Sequence, residues 1–283
     1  MSKLFHKVLQ GNSIDVLRTL DNESVQCCVT SPPYWDQRNY DHPDQLGQEP
    51  TLNGYISNLC DIFDEVNRIL TPDGVFWLNI GDKYDNKDLM GIPWRVAFEL
   101  KDRGWILRND IIWHKPDSLP VPLKDRCNSC HEMIFMFTKN RKYYYDIEAI
   151  MEPLKNPDSY SKSGSGIGGH KHSARGENAV YTGKGWDARK LKGRIRRDVW
   201  TIATARSKDS HFAVFPEKIP ELCIKASTQE GDVVLDPFSG SGTSGVVAKK
   251  LGRSYYGVEL NPEYATMSQE KIDRISNLNG LFV

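Results

Sequence analysis

The chain has 283 residues, of which 39% are hydrophobic, and its 37 basic side chains balance its 37 acidic ones. This length suits one large α/β domain with an insertion, and no apolar run is long enough to span a bilayer. The N-terminus shows no signal peptide, and the six cysteines show no pattern of a secreted disulfide framework. We therefore predict a cytoplasmic protein with no membrane partner.

The first predicted strand, over residues 25–30, leads into the tetrapeptide Ser31-Pro32-Pro33-Tyr34. The two prolines fix φ and carry no N–H, so the carbonyls around Ser31 and Pro32 are free to accept hydrogen bonds from a substrate amine. The Tyr34 ring can stack on a planar base. The alternative is a simple strand-ending turn with a tyrosine in the core.

The next predicted elements are a helix over 55–70 and strands over 75–80, 107–114 and 132–138. The helix carries its apolar residues at the spacing of one buried face. Asp82 follows the strand over 75–80, where it can act on a substrate or cap the next helix or turn. Cys127 and Cys130 form the chain's one C-x-x-C pair, and without a second pair we predict no metal site.

A basic stretch follows these strands. Residues 155–198 contain 11 Lys and Arg against 4 Asp and Glu, a net charge of +7. The stretch is also rich in Gly and Ser and poor in aliphatic residues. It fits either a solvated linker or a segment that orders on a phosphate backbone.

The last part of the chain shows a nucleotide-binding pattern. A predicted strand over 232–236 leads into a turn with glycines at 240, 242 and 245, and a helix follows. A second strand, over 254–259, ends at Glu259, about 20 residues after the first glycine, which is the spacing of an acid that binds ribose hydroxyls. The pair could hold a dinucleotide or S-adenosylmethionine. A closing helix is predicted over 264–278.

Together these motifs resemble those of the amino-group DNA methyltransferases. Residues Thr30 to Trp35 resemble the catalytic motif of that family, and residues Asp236 to Thr243 resemble its cofactor loop. The catalytic motif comes first, with the basic stretch between the two, which resembles the circularly permuted order called the beta class. The resemblance extends over nearly the whole chain.

The resemblance implies a Rossmann-like α/β fold with a mostly parallel sheet, helices on both faces and an inserted target-recognition region. It implies a catalytic half over 1–150, the basic recognition region over 151–199 and a cofactor-binding half over 200–283. The cofactor is then S-adenosyl-L-methionine. Ligands of such sheets lie at the carboxyl ends of the strands.

By the same resemblance, Ser31 and the Pro32 carbonyl accept the hydrogens of the target amine. Pro33 completes the motif, Tyr34 stacks on the base, and Asp82 is a further acceptor. The implied cofactor-binding residues are Asp236, Pro237, Phe238, Gly240, Gly242, Thr243, Glu259, Asn261 and Pro216. Asn12 stands where the family commonly has aspartate, so no cofactor contact is predicted for it.

The implied substrate is double-stranded DNA. Candidate DNA contacts in the basic stretch are Arg175, Lys184, Arg189, Lys190, Arg194, Arg196 and Arg197. Serine at the first motif position favours methylation of cytosine N4, and adenine N6 is the alternative. A partner restriction endonuclease and a monomeric or homodimeric state are compatible with the sequence. Two alternative hypotheses come from other functional classes: a nucleotide-dependent oxidoreductase and a catalytically silent DNA-binding module.

Overall fold

The computed structural model describes residues 4–37, 42, 44–153, 193–205 and 216–275. Ten strands lie within these residues: β1 (His6–Gln10), β2 (Val25–Thr30), β3 (Leu70–Ile80), β4 (Tyr84–Asp85), β5 (Asp88–Leu89), β6 (Ile106–His114), β7 (His131–Thr138), β8 (Val199–Thr201), β9 (Val233–Asp236) and β10 (Ser254–Glu259). Eight of them form one sheet in the order β1-β10-β9-β2-β3-β7-β6-β8, and β4 pairs with β5 in a separate hairpin.

The sheet is mostly parallel. β7 runs antiparallel to its neighbours β3 and β6, and every other neighbouring pair is parallel. The carboxyl ends of β1, β2, β3, β6, β9 and β10 therefore share one edge of the sheet. This edge is where a parallel α/β sheet places its ligands.

Helices cover both faces of the sheet. The helices among the described residues are α1 (Ser13–Leu17), α2 (Leu52–Ile69), α3 (Ile92–Asp102), α4 (Lys218–Ser227), α5 (Thr243–Lys250) and α6 (Pro262–Asp273). Successive residues of a strand point to opposite faces. Cys28 joins the core that contains the buried side of α2, whereas Cys27 Sγ accepts a hydrogen bond of 3.1 Å from Ser227 Oγ of α4. The predicted fold class is confirmed.

Local sequence accounts for most of these elements. In α2, the hydroxyl of Thr51 caps the first turn by accepting from the Gly54 N–H at 3.1 Å, so the helix begins three residues before the predicted start. β3 begins at Leu70, five residues before the prediction. The sequence did not predict β1 and β8, which are short edge strands that owe their extended form to a neighbouring strand. The predicted closing helix begins at Pro262, and residues 276–278 lie outside the described part of the chain.

Two compact units are distinguished, Met1–Asp146 with Arg197–Val283, and Ile147–Arg196. The first contains the sheet and all six helices named above. In the second, the described residues form a short 3₁₀ turn (Glu148–Ile150) and an antiparallel bridge between Glu152 and Arg194. The predicted domain boundaries stay a prediction. Of the helices within the described ranges, none combines the length and the apolar character needed to cross a membrane.

Candidate active site

An open pocket of about 850 Å³ lies where the carboxyl ends of the parallel strands meet. The turn after β2 lines one side, and the loops after β9 and β10 line another. Residues of the segment between β2 and α2, and of α2 itself, also line the pocket. Two motifs that lie some two hundred residues apart in the chain therefore face the same cavity.

All four residues of the predicted catalytic tetrapeptide, Ser31, Pro32, Pro33 and Tyr34, line this pocket. The turn is held from behind, because the hydroxyl of the buried Tyr55 on α2 donates a hydrogen bond of 2.9 Å to the Pro33 carbonyl. That contact uses the carbonyl of the second proline. Among the described residues, none donates a hydrogen bond to the Pro32 carbonyl, and its role as an acceptor stays a prediction.

Three further side chains, which sequence reasoning missed, form one hydrogen-bonded cluster with the Ser31 and Tyr34 hydroxyls. Asn79, near the end of β3, contacts both hydroxyls. Glu132, near the start of β7, contacts the Tyr34 hydroxyl, and Lys115, which follows β6, pairs with Glu132. All three line the pocket. The sequence offered a signal for Asn79 and Lys115, which lie at or just after the carboxyl end of a predicted strand. It offered none for Glu132, which lies at the start of a strand and reaches this site because β7 runs antiparallel.

The Tyr34 ring is positioned by close packing. A Cβ atom added to Gly81 would lie 2.7 Å from Cε2 of Tyr34, so only glycine leaves room for the ring here. Burial and the nearby Glu132 carboxylate raise the pKa of the Tyr34 phenol well above 10. The phenol is therefore protonated at neutral pH and acts as a hydrogen-bond donor.

The other half of the pocket contains most of the predicted cofactor-binding residues. Pro237, Phe238, Gly240, Thr243, Glu259 and Asn261 line it. Glu259 Oε2 accepts from the Gly240 N–H at 2.8 Å and Oε1 accepts from the Asn261 N–H at 3.0 Å, which joins the two loops. Burial raises the pKa of Glu259 above its usual value, and these backbone donors oppose that rise.

Asn12 also lines this half of the pocket, although the sequence predicted no contact for it. Its side chain caps α1 by accepting from the Ile14 N–H at 3.1 Å. Ser13 beside it donates a hydrogen bond of 2.7 Å to the Pro237 carbonyl. The loop after β1 is thereby tied to the glycine-rich loop after β9.

Two predicted cofactor residues lie beneath the pocket and do not line it. Asp236 is 1% exposed and accepts hydrogen bonds from Thr30 Oγ1 at 2.6 Å and Ser244 Oγ at 2.7 Å. Burial raises the pKa of Asp236 to about 6, against the opposing effect of these donors. Gly242 has a positive φ of 76° at the start of α5 and packs against Ser268 of α6. Both residues fix the shape of the loop from behind.

Asp82 and Pro216 are also absent from the residues that line the pocket. Asp82 Oδ1 accepts hydrogen bonds from the N–H groups of Lys83 at 2.8 Å and Ile92 at 3.0 Å, and Ile92 begins α3. These contacts match the capping alternative. Pro216 accepts from the Ile219 N–H at 3.0 Å in the turn that leads into α4. Their predicted roles at the base and the cofactor stay predictions, which these positions do not support.

The predicted DNA-binding residues Arg175, Lys184, Arg189 and Lys190 lie outside the described residues. Of the other three, Arg194 Nε donates to the Glu152 carboxylate at 2.7 Å, and Arg196 Nε donates to the Ile150 carbonyl at 2.8 Å. The Arg197 carbonyl accepts from the Trp200 indole N–H at 2.9 Å. Their DNA contacts stay a prediction.

A glycine-rich cofactor loop and a Ser-Pro-Pro-Tyr turn share one pocket, and the sheet behind them has a single antiparallel strand among those described. This combination is typical of a methyltransferase that acts on amino groups. A family model described as DNA methylase, covering N6- and N4-methyltransferases, matches residues 25–270. The chain belongs to this family. It is a DNA methyltransferase, and the family's dependence on S-adenosylmethionine confirms the predicted cofactor.

Curated relatives agree with this assignment. The chain is 40% identical over 294 residues to the type II methyltransferase M.XycI of Xanthomonas campestris pv. cyanopsidis, which covers 94% of this chain and 87% of that protein. It is 39% identical over 297 residues to the type II methyltransferase M.SmaI of Serratia marcescens, covering 95% and 91%. The predicted family is confirmed, and membership of this family excludes the oxidoreductase alternative.

Solved structures share the fold. PvuII DNA methyltransferase (cytosine-N4-specific) aligns with a TM-score of 0.69 at 22% identity, covering 97% of this chain and 89% of that one. The Thermus thermophilus protein TTHA0409, complexed with S-adenosyl-L-methionine, aligns with a TM-score of 0.63 at 25% identity, covering 95% of each chain.

Proposed function

We propose that this DNA methyltransferase transfers a methyl group to the exocyclic N4 amine of a cytosine flipped out of double-stranded DNA. The observation that carries the proposal is the position of the Ser31 hydroxyl. It lines the pocket together with the cofactor loop, and Asn79 Nδ2 lies 3.2 Å from its oxygen. Serine at this position is also the residue that favours cytosine in the motif.

The chemistry requires acceptors around the amine hydrogens. The lone pair of an exocyclic amine is delocalised into the ring, and acceptors placed at its hydrogens draw the nitrogen toward tetrahedral geometry. Ser31 Oγ and the Pro32 carbonyl supply them. The nitrogen lone pair forms the new N–C bond, the S–C bond breaks with its electrons left on sulfur, and one amine proton leaves to water.

The pocket residues fit S-adenosylmethionine, which supplies an electrophilic methyl group on sulfonium. Open space lies at Gly240, where an added Cβ would meet no atom closer than 3.9 Å. Glu259 offers a carboxylate for ribose hydroxyls, and Phe238 and Asn261 wall the same side. Asp236 and Gly242 hold the loop in shape from beneath the pocket.

The target base has to leave the duplex to reach this pocket. Tyr34 provides the stacking surface for it, since its ring lines the pocket and its hydroxyl is anchored. The basic stretch over 155–198 binds the phosphate backbone and contains the residues that read the target sequence. The type II designation of the relatives supports a restriction endonuclease of the same specificity as the partner, and a monomer suffices to methylate each strand in turn.

The experiment is mass spectrometry of nucleosides from plasmid DNA treated with the protein and methyl-labelled S-adenosylmethionine. We expect label in N4-methylcytosine, loss of the label with Ser31→Ala, and no loss with Ser24→Ala. Ser24 is the matched control, since it precedes the same strand at the opposite edge of the sheet. Label in N6-methyladenine would overturn the choice of base. An absence of label in any base, with the cofactor bound, would overturn DNA as the substrate.

A further inference from the structure

A chain of hydrogen bonds joins the Ser31 hydroxyl to a carboxylate on a neighbouring part of the sheet. We propose that Glu132 is a positioning residue for methyl transfer, which acts through Tyr34 and Asn79 to turn a lone pair of Ser31 toward the target amine. The inference rests on the proposed function, because it assigns a role within the same pocket.

The direction of the chain follows from the carboxylate. An ionised carboxylate only accepts hydrogen bonds, so Tyr34 must donate its proton to Glu132 Oε2, which lies 2.7 Å away. The Tyr34 oxygen is then free to accept. Ser31 Oγ lies 3.3 Å from it and can donate its own proton there.

Asn79 is oriented by the same carboxylate. Its Nδ2 lies 2.9 Å from Glu132 Oε2, 3.1 Å from the Tyr34 hydroxyl oxygen and 3.2 Å from Ser31 Oγ, so one N–H points to Glu132 and the other is shared between the two hydroxyl oxygens. A flipped amide would bring two oxygens together. The orientation leaves Asn79 Oδ1 buried without a hydrogen-bond partner among the described residues. Burying such an atom without a partner carries a desolvation cost.

These contacts fix the direction of each hydrogen bond that the Ser31 hydroxyl makes. Its proton points to Tyr34, one lone pair accepts from Asn79, and the second lone pair is available to the pocket. An acceptor in this orientation is what the hydrogens of an exocyclic amine need. Hydrogen bonds in such a chain polarise one another, which strengthens Ser31 as an acceptor.

Lys115 fixes the other end of the chain. Its ammonium group pairs with Glu132 Oε1 and lies 4.5 Å from the centroid of the Trp113 ring. The two paired side chains are 21% and 16% exposed. In Glu132→Gln, Lys115 retains the amide oxygen, so the amide nitrogen faces Tyr34. Tyr34 would then accept from that nitrogen and donate to Ser31, which reverses the direction of the hydrogen bonds. The Ser31 lone pair that would otherwise accept from the target amine is then occupied by the Tyr34 proton.

The test is a double-mutant cycle of Glu132→Gln and Tyr34→Phe, with kcat, KM for DNA and cofactor affinity measured for each protein. We expect Glu132→Gln to lower kcat about 10- to 100-fold, the effect of a charge-assisted hydrogen bond. We expect its cofactor Kd and KM for DNA to stay within about twofold. In the Tyr34→Phe background the same change should lower kcat by a clearly smaller factor, because only the link through Asn79 then joins Glu132 to Ser31.

Glu221→Gln is the matched control, since Glu221 also pairs with a lysine, at 2.7 Å from Lys225, and does not line the pocket. It should retain the wild-type kcat. Equal losses from Glu132→Gln in the two backgrounds would overturn the action through Tyr34, and an unchanged kcat would overturn the positioning role altogether. A wild-type protein that binds the cofactor but methylates no DNA would instead overturn the proposed function, so the two failures are distinguishable.

Discussion

The two glycines of the cofactor loop, Gly240 and Gly242, provide a sharp test of how the structure divides their roles. Both have positive φ, at 51° and 76°. A Cβ at Gly242 would overlap Ser268 Oγ and lie 3.3 Å from the Ser268 Cα, whereas a Cβ at Gly240 meets no atom closer than 3.9 Å. Gly240→Ala therefore tests mainly cofactor affinity, and Gly242→Ala tests mainly the stability of the fold.

For Gly240→Ala, the left-handed backbone costs about 1–2 kcal/mol of stability. For Gly242→Ala, the same strain is joined by overpacking of about 1–3 kcal/mol, because Ser268 is fully buried and its backbone cannot move freely. The free energy of unfolding should therefore fall by about 2–5 kcal/mol in Gly242→Ala. Urea denaturation followed by tryptophan fluorescence measures both values.

Cofactor affinity should respond in the opposite order. The methyl group of Gly240→Ala projects into open space at a pocket-lining position, so we expect the Kd for S-adenosylmethionine to rise by about tenfold or more. In Gly242→Ala, measured where the variant remains folded, the Kd should change by less than about threefold. Isothermal titration calorimetry provides the comparison. Equal stability of the two variants, or an unchanged Kd in Gly240→Ala, would refute the division of roles.

Three further outcomes are expected. The pKa of Asp236 is raised from 3.8 to about 6, so the folded state binds this proton more tightly than the unfolded state does. The free energy of unfolding should therefore fall by up to about 3 kcal/mol as pH rises from about 4 to 6. Asp236→Asn should abolish that part of the pH dependence in urea titrations, and identical curves for the variant and the wild type would contradict this prediction. Tyr55→Phe removes the donor to the Pro33 carbonyl and should cost about 1 kcal/mol and lower kcat, with cofactor affinity unchanged. Combined alanine substitution of Lys184 and Arg189 should weaken DNA binding and reduce its log–log salt slope by about 2, and an unchanged slope would remove them from the interface.

The sequence by itself determined the two motifs and the class of fold. Ser31-Pro32-Pro33-Tyr34 and the glycines of the cofactor loop follow strands that local apolar runs predict, and β10 was predicted to its last residue, Glu259. Alternation of strands with amphipathic helices is enough to predict a parallel sheet covered on both faces. These features depend on residues close together in the chain, which is why they can be read from it.

Tertiary structure alone decided which side chains meet at Ser31 and which predicted residues lie beneath the pocket. Glu132 is 98 residues from Tyr34 in sequence, and the antiparallel pairing of β7 with β3 brings the two together. Asp236 was predicted to contact the cofactor, but its burial between β2 and α5 turns its carboxylate to Thr30 and Ser244. Strand register and the burial of a side chain arise from contacts between distant segments, and no local pattern encodes them.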